Sequence, residues 1–187
     1  DAFKKDFIVE TGRAVGADVV VKYEERETYL WFVYGLGDVD RWDGFRWYDP
    51  VFDRRHNVNL VASQGFGGGA WLVSARWNLG SGLPFTQSQG YYQAPSTGGG
   101  IDGDYLTTNP DDISIYLSGL NEGRLPAYHR LDLNVKRTWE RGGGDIELSV
   151  GITNVYSRQN IFYVNRITGQ RKNQLPFLPS LGLDWSF

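Results

Sequence analysis

The last seven residues constrain this chain most. Leu181, Leu183, Trp185 and Phe187 alternate with Gly182, Asp184 and Ser186. Strict period-two alternation puts one side of an extended strand in apolar surroundings and the other in polar ones. The pattern runs to a terminal aromatic, as it does in the closing strand of an outer-membrane β-barrel. An ordinary final strand of a soluble sandwich accounts for these seven residues equally well, so the rest of the chain must decide.

The same alternation recurs through the 187 residues, and helical periodicity is hard to find. Seven strands are predicted, at about 12–24, 28–37, 54–66, 70–80, 126–139, 145–153 and 174–187. On the apolar side they present Ala17, Val19, Val21 and Tyr23, then Leu30, Phe32, Tyr34 and Leu36, then Val58, Leu60, Ala62 and Phe66. Trp71, Val73, Ala75, Trp77 and Leu79 follow, then Leu131, Leu133, Val135 and Trp139, then Ile146, Leu148, Val150 and Ile152. The opposite sides carry Arg76, Asn78, Arg130, Asp132, Asn134, Lys136 and Glu147.

The connections alternate in length. Short turns fall at 24–27, 67–69 and 141–144; long ones fall at 38–53, 81–124 and about 157–173. Short turns on one side and long loops on the other are the sidedness of an outer-membrane barrel, with the C-terminus on the periplasmic side. Aromatics make up 15% of the chain, which suits girdles at two membrane interfaces. The apolar run Tyr29 to Tyr34 is too short for a membrane-spanning helix. With no cysteine there is no disulfide or thiolate metal site. A net charge of −3 without a basic tract argues against nucleic acid.

The fold class expected is therefore all-β, an antiparallel transmembrane β-barrel segment in a Gram-negative outer membrane. Charge is costly on a lipid face, so Arg76, Asn78, Arg130, Asp132, Asn134 and Lys136 are expected to face the lumen, where they contact substrate or a plug. Seven strands would leave two open edges in lipid. Residues 1–187 are therefore expected to be part of a larger barrel, with the chain a mature product, a cleaved piece or an expressed segment.

Five stretches together resemble one family. Gly12-Arg13-Ala14-Val15-Gly16-Ala17-Asp18 resembles the G-x-A-x-G-x-E opening of a late strand in TonB-dependent outer-membrane receptors. Asp53-Arg54-Arg55-His56-Asn57 resembles their D-x-R-H-x strand start. Gly82-Leu83-Pro84-Phe85-Thr86, Leu125-Pro126-Ala127-Tyr128-His129-Arg130-Leu131-Asp132 and Gly151-Ile152-Thr153-Asn154-Val155-Tyr156 are similar to the C-terminal third of that barrel, in order and spacing. The flavour is closest to receptors of the Bacteroidota type. The resemblance implies about seven strands of a 22-stranded barrel. It implies as partners the rest of the barrel, a plug, TonB acting through the plug, and outer-membrane lipid. The implied role is active import of a scarce ligand such as an iron chelate, vitamin, glycan or peptide. The alternative is a non-transporting adhesin or scaffold barrel.

Leu181, Leu183, Trp185 and Phe187 resemble the signal read by the barrel-assembly machinery, and plain lipid-facing packing accounts for them too. Trp42, Trp47, Tyr48, Tyr91 and Tyr92 are candidate ligand contacts in the outer loops. The acidic groups Asp38, Asp40 and Asp43, and Asp102, Asp104, Asp111 and Asp112, offer oxygen ligands for calcium, with solvated loop charge as the plainer reading. No other cofactor and no catalytic residue is expected. His56 and His129 are two histidines without a third, and rim positions suit them better than a metal site.

Overall fold

The computed structural model describes residues 10–93, 113–165 and 168–187. It is built of antiparallel strands, with no helix among the described residues. The strands are β1 (Thr11–Glu25), β2 (Thr28–Trp42), β3 (Trp47–Tyr48), β4 (His56–Phe66), β5 (Trp71–Gly80), β6 (Pro84–Phe85) and β7 (Ser88–Gln93). They continue as β8 (Ile113–Leu117), β9 (Gly123–Arg124), β10 (Tyr128–Arg141), β11 (Gly144–Thr153), β12 (Ile161–Val164), β13 (Arg171–Asn173) and β14 (Leu178–Ser186). The seven long strands make one meander in the order β1-β2-β4-β5-β10-β11-β14, and β3 folds back on β2.

The register aligns the alternation of each strand with that of its neighbours. Val21, Phe32, Leu60, Trp77 and Leu131 form one cross-strand row. Val73, Val135, Val150 and Leu181 form another. Facing pairs of this kind are the unit of sheet stabilisation, each contributing about 0.2–1 kcal/mol. The result is a continuous apolar face spanning all seven strands. Nothing covers it: no hydrophobic side chain is buried among the described residues. A lone antiparallel sheet in water would normally bury one face on a core.

Connections sort by end. β1 and β2 are joined by Arg26–Glu27, β4 and β5 by residues 67–70, and β10 and β11 by Gly142–Gly143, all at one end of the sheet. Gly67, Gly68 and Gly69 have φ of 68°, 66° and 90°. Three consecutive left-handed residues are tolerable only for glycine. The other end carries the long connections. They carry short strand pairs of their own. β2 runs on to Trp42, beyond its expected end at 37, and turns back through β3. Residues 81–124 contain the pairs β6–β9 and β7–β8, and β12 pairs with β13. The final strand is also shorter than expected, since residues 174–177 precede the ladder.

β1 and β14 are the two edges, and they run in the same direction, from the long-loop end to the short-turn end. β14 is held on one side only. At its far end Gly144 has φ +138°, and a Cβ there would sit 1.8 Å from the Ser186 carbonyl oxygen. The clash is with backbone, so it is relieved only if β14 moves off the start of β11 at Ser186. Gly144→Ala is therefore expected to cost about 1–2 kcal/mol and to raise amide exchange at Trp185 and Ser186 while leaving Leu181 protected. Unchanged exchange at all three would contradict this.

Candidate functional site

The six lumen candidates share the polar face, and four of them have a partner there. Arg130 pairs with Asp132 at 2.8 Å and Lys136 with Glu147 at 2.7 Å. Asn78 donates to the Asn59 side chain. Asn134 and Arg76 line a hollow of about 230 Å³ with Ser74, Asp132 and Ser180. Arg76 forms no ion pair among the described residues.

Asp132 does more than balance Arg130. Its Oδ1 accepts the backbone N–H of Asn154 at 2.9 Å. Asn154 is 0% exposed, with φ +55°. Its Nδ2 donates to the carbonyls of Arg158 and Leu175 at 2.9 and 3.0 Å, and its Oδ1 accepts from the Arg158 N–H at 3.0 Å. Asparagine tolerates the left-handed region and bonds nearby backbone. One side chain thereby pins the exit from β11 to the approach to β14. Asn160 adds a second pin, accepting from the His129 N–H at 3.1 Å and donating to the His129 carbonyl at 2.9 Å.

A second lock gathers the other connections. Asp53, 1% exposed, accepts from Arg124 at 2.7 Å, and Asp49 accepts from the same guanidinium. Burial works against the Arg124 charge, but Asp53 and Asp49 outweigh it and raise its pKa above the ordinary arginine value. Asn121 donates to the Asp49 carbonyl at 2.8 Å, and its N–H donates to Thr86 Oγ1 at 3.0 Å. Leu125 N–H donates to the Leu83 carbonyl at 2.9 Å, and the Ser81 N–H to the His56 carbonyl at 2.8 Å. The stretches 53–57, 82–86 and 125–132, far apart in sequence, thus meet at the loop end.

Beside this lock lies a cavity of about 700 Å³, walled by Phe85, Gln87, Tyr91, Phe162, Tyr163 and Asn165 among others. None of its described lining residues is charged. Of the five expected loop aromatics only Tyr91 lines it. Trp42 and Trp47 pack on each other, ring centroids 5.6 Å apart. Tyr48 donates to Glu10 at 2.8 Å, which pushes its phenol up, and it borders a separate hollow with Phe52 and Leu117. Tyr92 is exposed. The amides and aromatics at 85, 87, 162, 163 and 165 escape sequence reasoning because they lie in stretches with no periodicity.

Three of the carboxylates proposed for calcium, Asp38, Asp40 and Asp43, are otherwise occupied. Arg13 pairs with Asp40 at 2.7 Å, and Arg55 with Asp38. Asp43 accepts from the N–H groups of Phe45 and Arg46 at 2.8 and 2.9 Å. The Arg46 and Phe45 amides hold its carboxyl below the usual range. No cluster of three or more potential metal ligands exists among the described residues. Asp102, Asp104, Asp111 and Asp112 lie outside the described residues. The histidines sit at the rim: His56 Nδ1 meets the Tyr34 hydroxyl at 2.9 Å, and His129 Nδ1 meets that of Tyr156 at 2.7 Å.

At the opposite end, Leu181, Leu183 and Trp185 lie across from Val150, Leu148 and Ile146. Leu183 is 73% exposed and Phe187 99%. Trp185 and Phe187 meet edge to face at 5.9 Å. Tyr23, Phe66, Trp71, Trp139 and Trp185 fall on the apolar face near this end, and Phe66 stacks on Trp71 at 6.0 Å.

One residue departs from the apolar set expected for β10. Arg137 lies on the same face as Val135 and Trp139, opposite Trp71 on β5 and Leu148 on β11. The alternating series had passed from 135 to 139 without it.

Fold and site together define an antiparallel β-meander with one bare apolar face, one ion-paired polar face and loops knitted at one end. No protein-family model, curated protein or solved structure matches this chain.

Proposed function

We propose that this chain is a segment of an outer-membrane β-barrel of the TonB-dependent kind, serving in active import of a scarce ligand. The observation that carries the membrane reading is the uncovered apolar face: seven strands wide, in register, with no hydrophobic residue buried among the described residues. Lipid is the solvent that such a face needs. Its height fits. From His129 to Trp139 is ten steps along β10, about 34 Å at about 3.4 Å each. At a tilt of about 45° that spans about 24 Å, close to the apolar band of a barrel, about 25 Å. The turn-end aromatics supply an interface girdle, and the sorting of short and long connections supports a periplasmic turn end.

Closure needs strands beyond the seven. The two edges run in the same direction, so an all-antiparallel ring requires an odd number of additional strands between them. A 22-stranded barrel less the seven long strands leaves fifteen, which is odd. The transport role rests on the five-motif resemblance, with the loop-end cavity as a place for a ligand.

The test is to extract the chain mildly from its native membrane, identify what co-purifies, and reconstitute the assembly with acyl-brominated phospholipid. A co-purifying plug-bearing chain or segment with a TonB box, together with strong quenching of tryptophan emission, is expected. Quenching without a plug would move the assignment to a scaffold or adhesin barrel. No quenching would remove the membrane reading.

A further inference from the structure

We propose that Arg137, held between Trp71 and Trp139, binds the phosphate of a glycerophospholipid headgroup at the short-turn interface. This rests on the membrane reading above and adds a specific lipid site to it.

The Arg137 guanidinium lies 4.4 Å from the Trp71 ring centroid and 5.0 Å from that of Trp139. Two indoles therefore fix the cation in place. It forms no ion pair among the described residues, and its Nε is buried without a hydrogen-bond partner. Two other charges on this face, both among the described residues, have partners within the chain. Arg13 has Asp40, and Glu25 accepts from the Tyr23 hydroxyl at 2.5 Å. The nearby cation Lys136 points to the polar face and has Glu147.

An unmatched arginine on a lipid face is costly at the midplane and cheap near an interface. Position 137 is four residues from the end of β10, level with the first residue of β5 and with Leu183 by way of Leu148. That is the depth of the girdle, where lipid phosphates lie. Guanidinium offers a planar fork that matches two phosphate oxygens. The flanking indoles are apolar bodies with an N–H donor, suited to the same depth. Cation–π contact holds the fork in one orientation and excludes water from its faces, so binding requires little further ordering. The chemistry supplied by the chain is thus a preorganised monocation at headgroup depth; the chemistry it lacks is an anion.

The test uses the whole assembly in detergent, stripped of lipid, with three probes read by native mass spectrometry: dihexanoylphosphatidylglycerol, dihexanoylglycerol and inorganic phosphate. The phospholipid is expected to bind, and the two others to bind far more weakly. Arg137→Gln should lower phospholipid affinity by about ten-fold or more, the size of a lost charge-assisted bond. Arg137→Lys, which keeps the charge and loses the fork, should lower it several-fold and carries the comparison if the glutamine variant does not fold. Lys22→Gln, at the same end but on the polar face and paired with Glu24 at 2.8 Å, should change nothing. Equal affinity of wild type and both Arg137 variants overturns the site. So does equal binding of dihexanoylglycerol, or of inorganic phosphate. If the membrane reading itself is wrong, brominated-lipid quenching is lost in the wild type; if only this site is wrong, quenching persists and the variants bind as the wild type does.

Discussion

A Val135→Arg variant is expected to assemble poorly, losing about 2–4 kcal/mol relative to wild type. Val135 sits mid-strand in the row Val73–Val135–Val150–Leu181, with apolar neighbours on both sides. In the membrane reading proposed above, an arginine there starts two residues deeper than Arg137, about 5 Å at the same rise and tilt, and the cost is that of reaching past apolar neighbours to the interface. Ser63→Arg is the matched control. Ser63 lies between Tyr29 and Ser74 on the polar face, where a cation remains solvated, and about 0–1 kcal/mol is expected by analogy with interfacial sites. The measurement is the fraction of chain recovered as heat-modifiable, membrane-integrated protein, followed by urea unfolding of that fraction. Equal damage from both substitutions would mean that the two faces are not chemically distinct.

Asn154→Ala is expected to have the largest effect of any single truncation at the loop end, about 3–5 kcal/mol. Three hydrogen bonds lose their side-chain partner: the carbonyls of Arg158 and Leu175 and the Arg158 N–H. Each leaves a part-buried backbone group without its side-chain partner, at about 1 kcal/mol. Alanine also tolerates φ +55° less well than asparagine, adding about 1 kcal/mol. Asn154→Gly separates the two effects, since it relieves the backbone and still loses the bonds; it should lie about 1 kcal/mol above alanine. Denaturant unfolding measures the sum, and amide exchange at Arg158 reports the local break. A loss below 1 kcal/mol for alanine would mean that the exit from β11 is held by something else.

How far the sequence could be read depended on period. The seven long strands and their faces were legible because alternation repeats over ten or so residues, enough to outvote single exceptions. Arg137 was such an exception: the pattern around it was so regular that the charged member was passed over. The small pairs β3, β6–β9, β7–β8 and β12–β13 were illegible because two to six residues cannot display a period, and Pro84 discourages a strand assignment. Asp132 was legible as a polar-face residue but not as the acceptor for Asn154, because that bond joins residues 22 positions apart. The left-handed backbone at Asn154 left a faint trace, an asparagine directly after a strand. The cavity aromatics Phe162 and Tyr163 left none, because their partners come from residues about 80 positions away.

The ladder architecture has a bearing on how such chains change. Among the described residues each long strand packs chiefly on its neighbours in the meander, and no buried hydrophobic core ties distant strands together. Stability in that arrangement is close to a sum over adjacent pairs, as in linear repeat proteins. The smallest neutral edit is then a whole hairpin. Removing β4 and β5 together would bring β2 against β10 with direction, end sorting and face all preserved. Removing β5 alone would leave β4 and β10 running the same way, and the long connection over residues 81–127 would have to change ends. Growth and loss by twos follows from geometry, independent of what any one strand's side chains do.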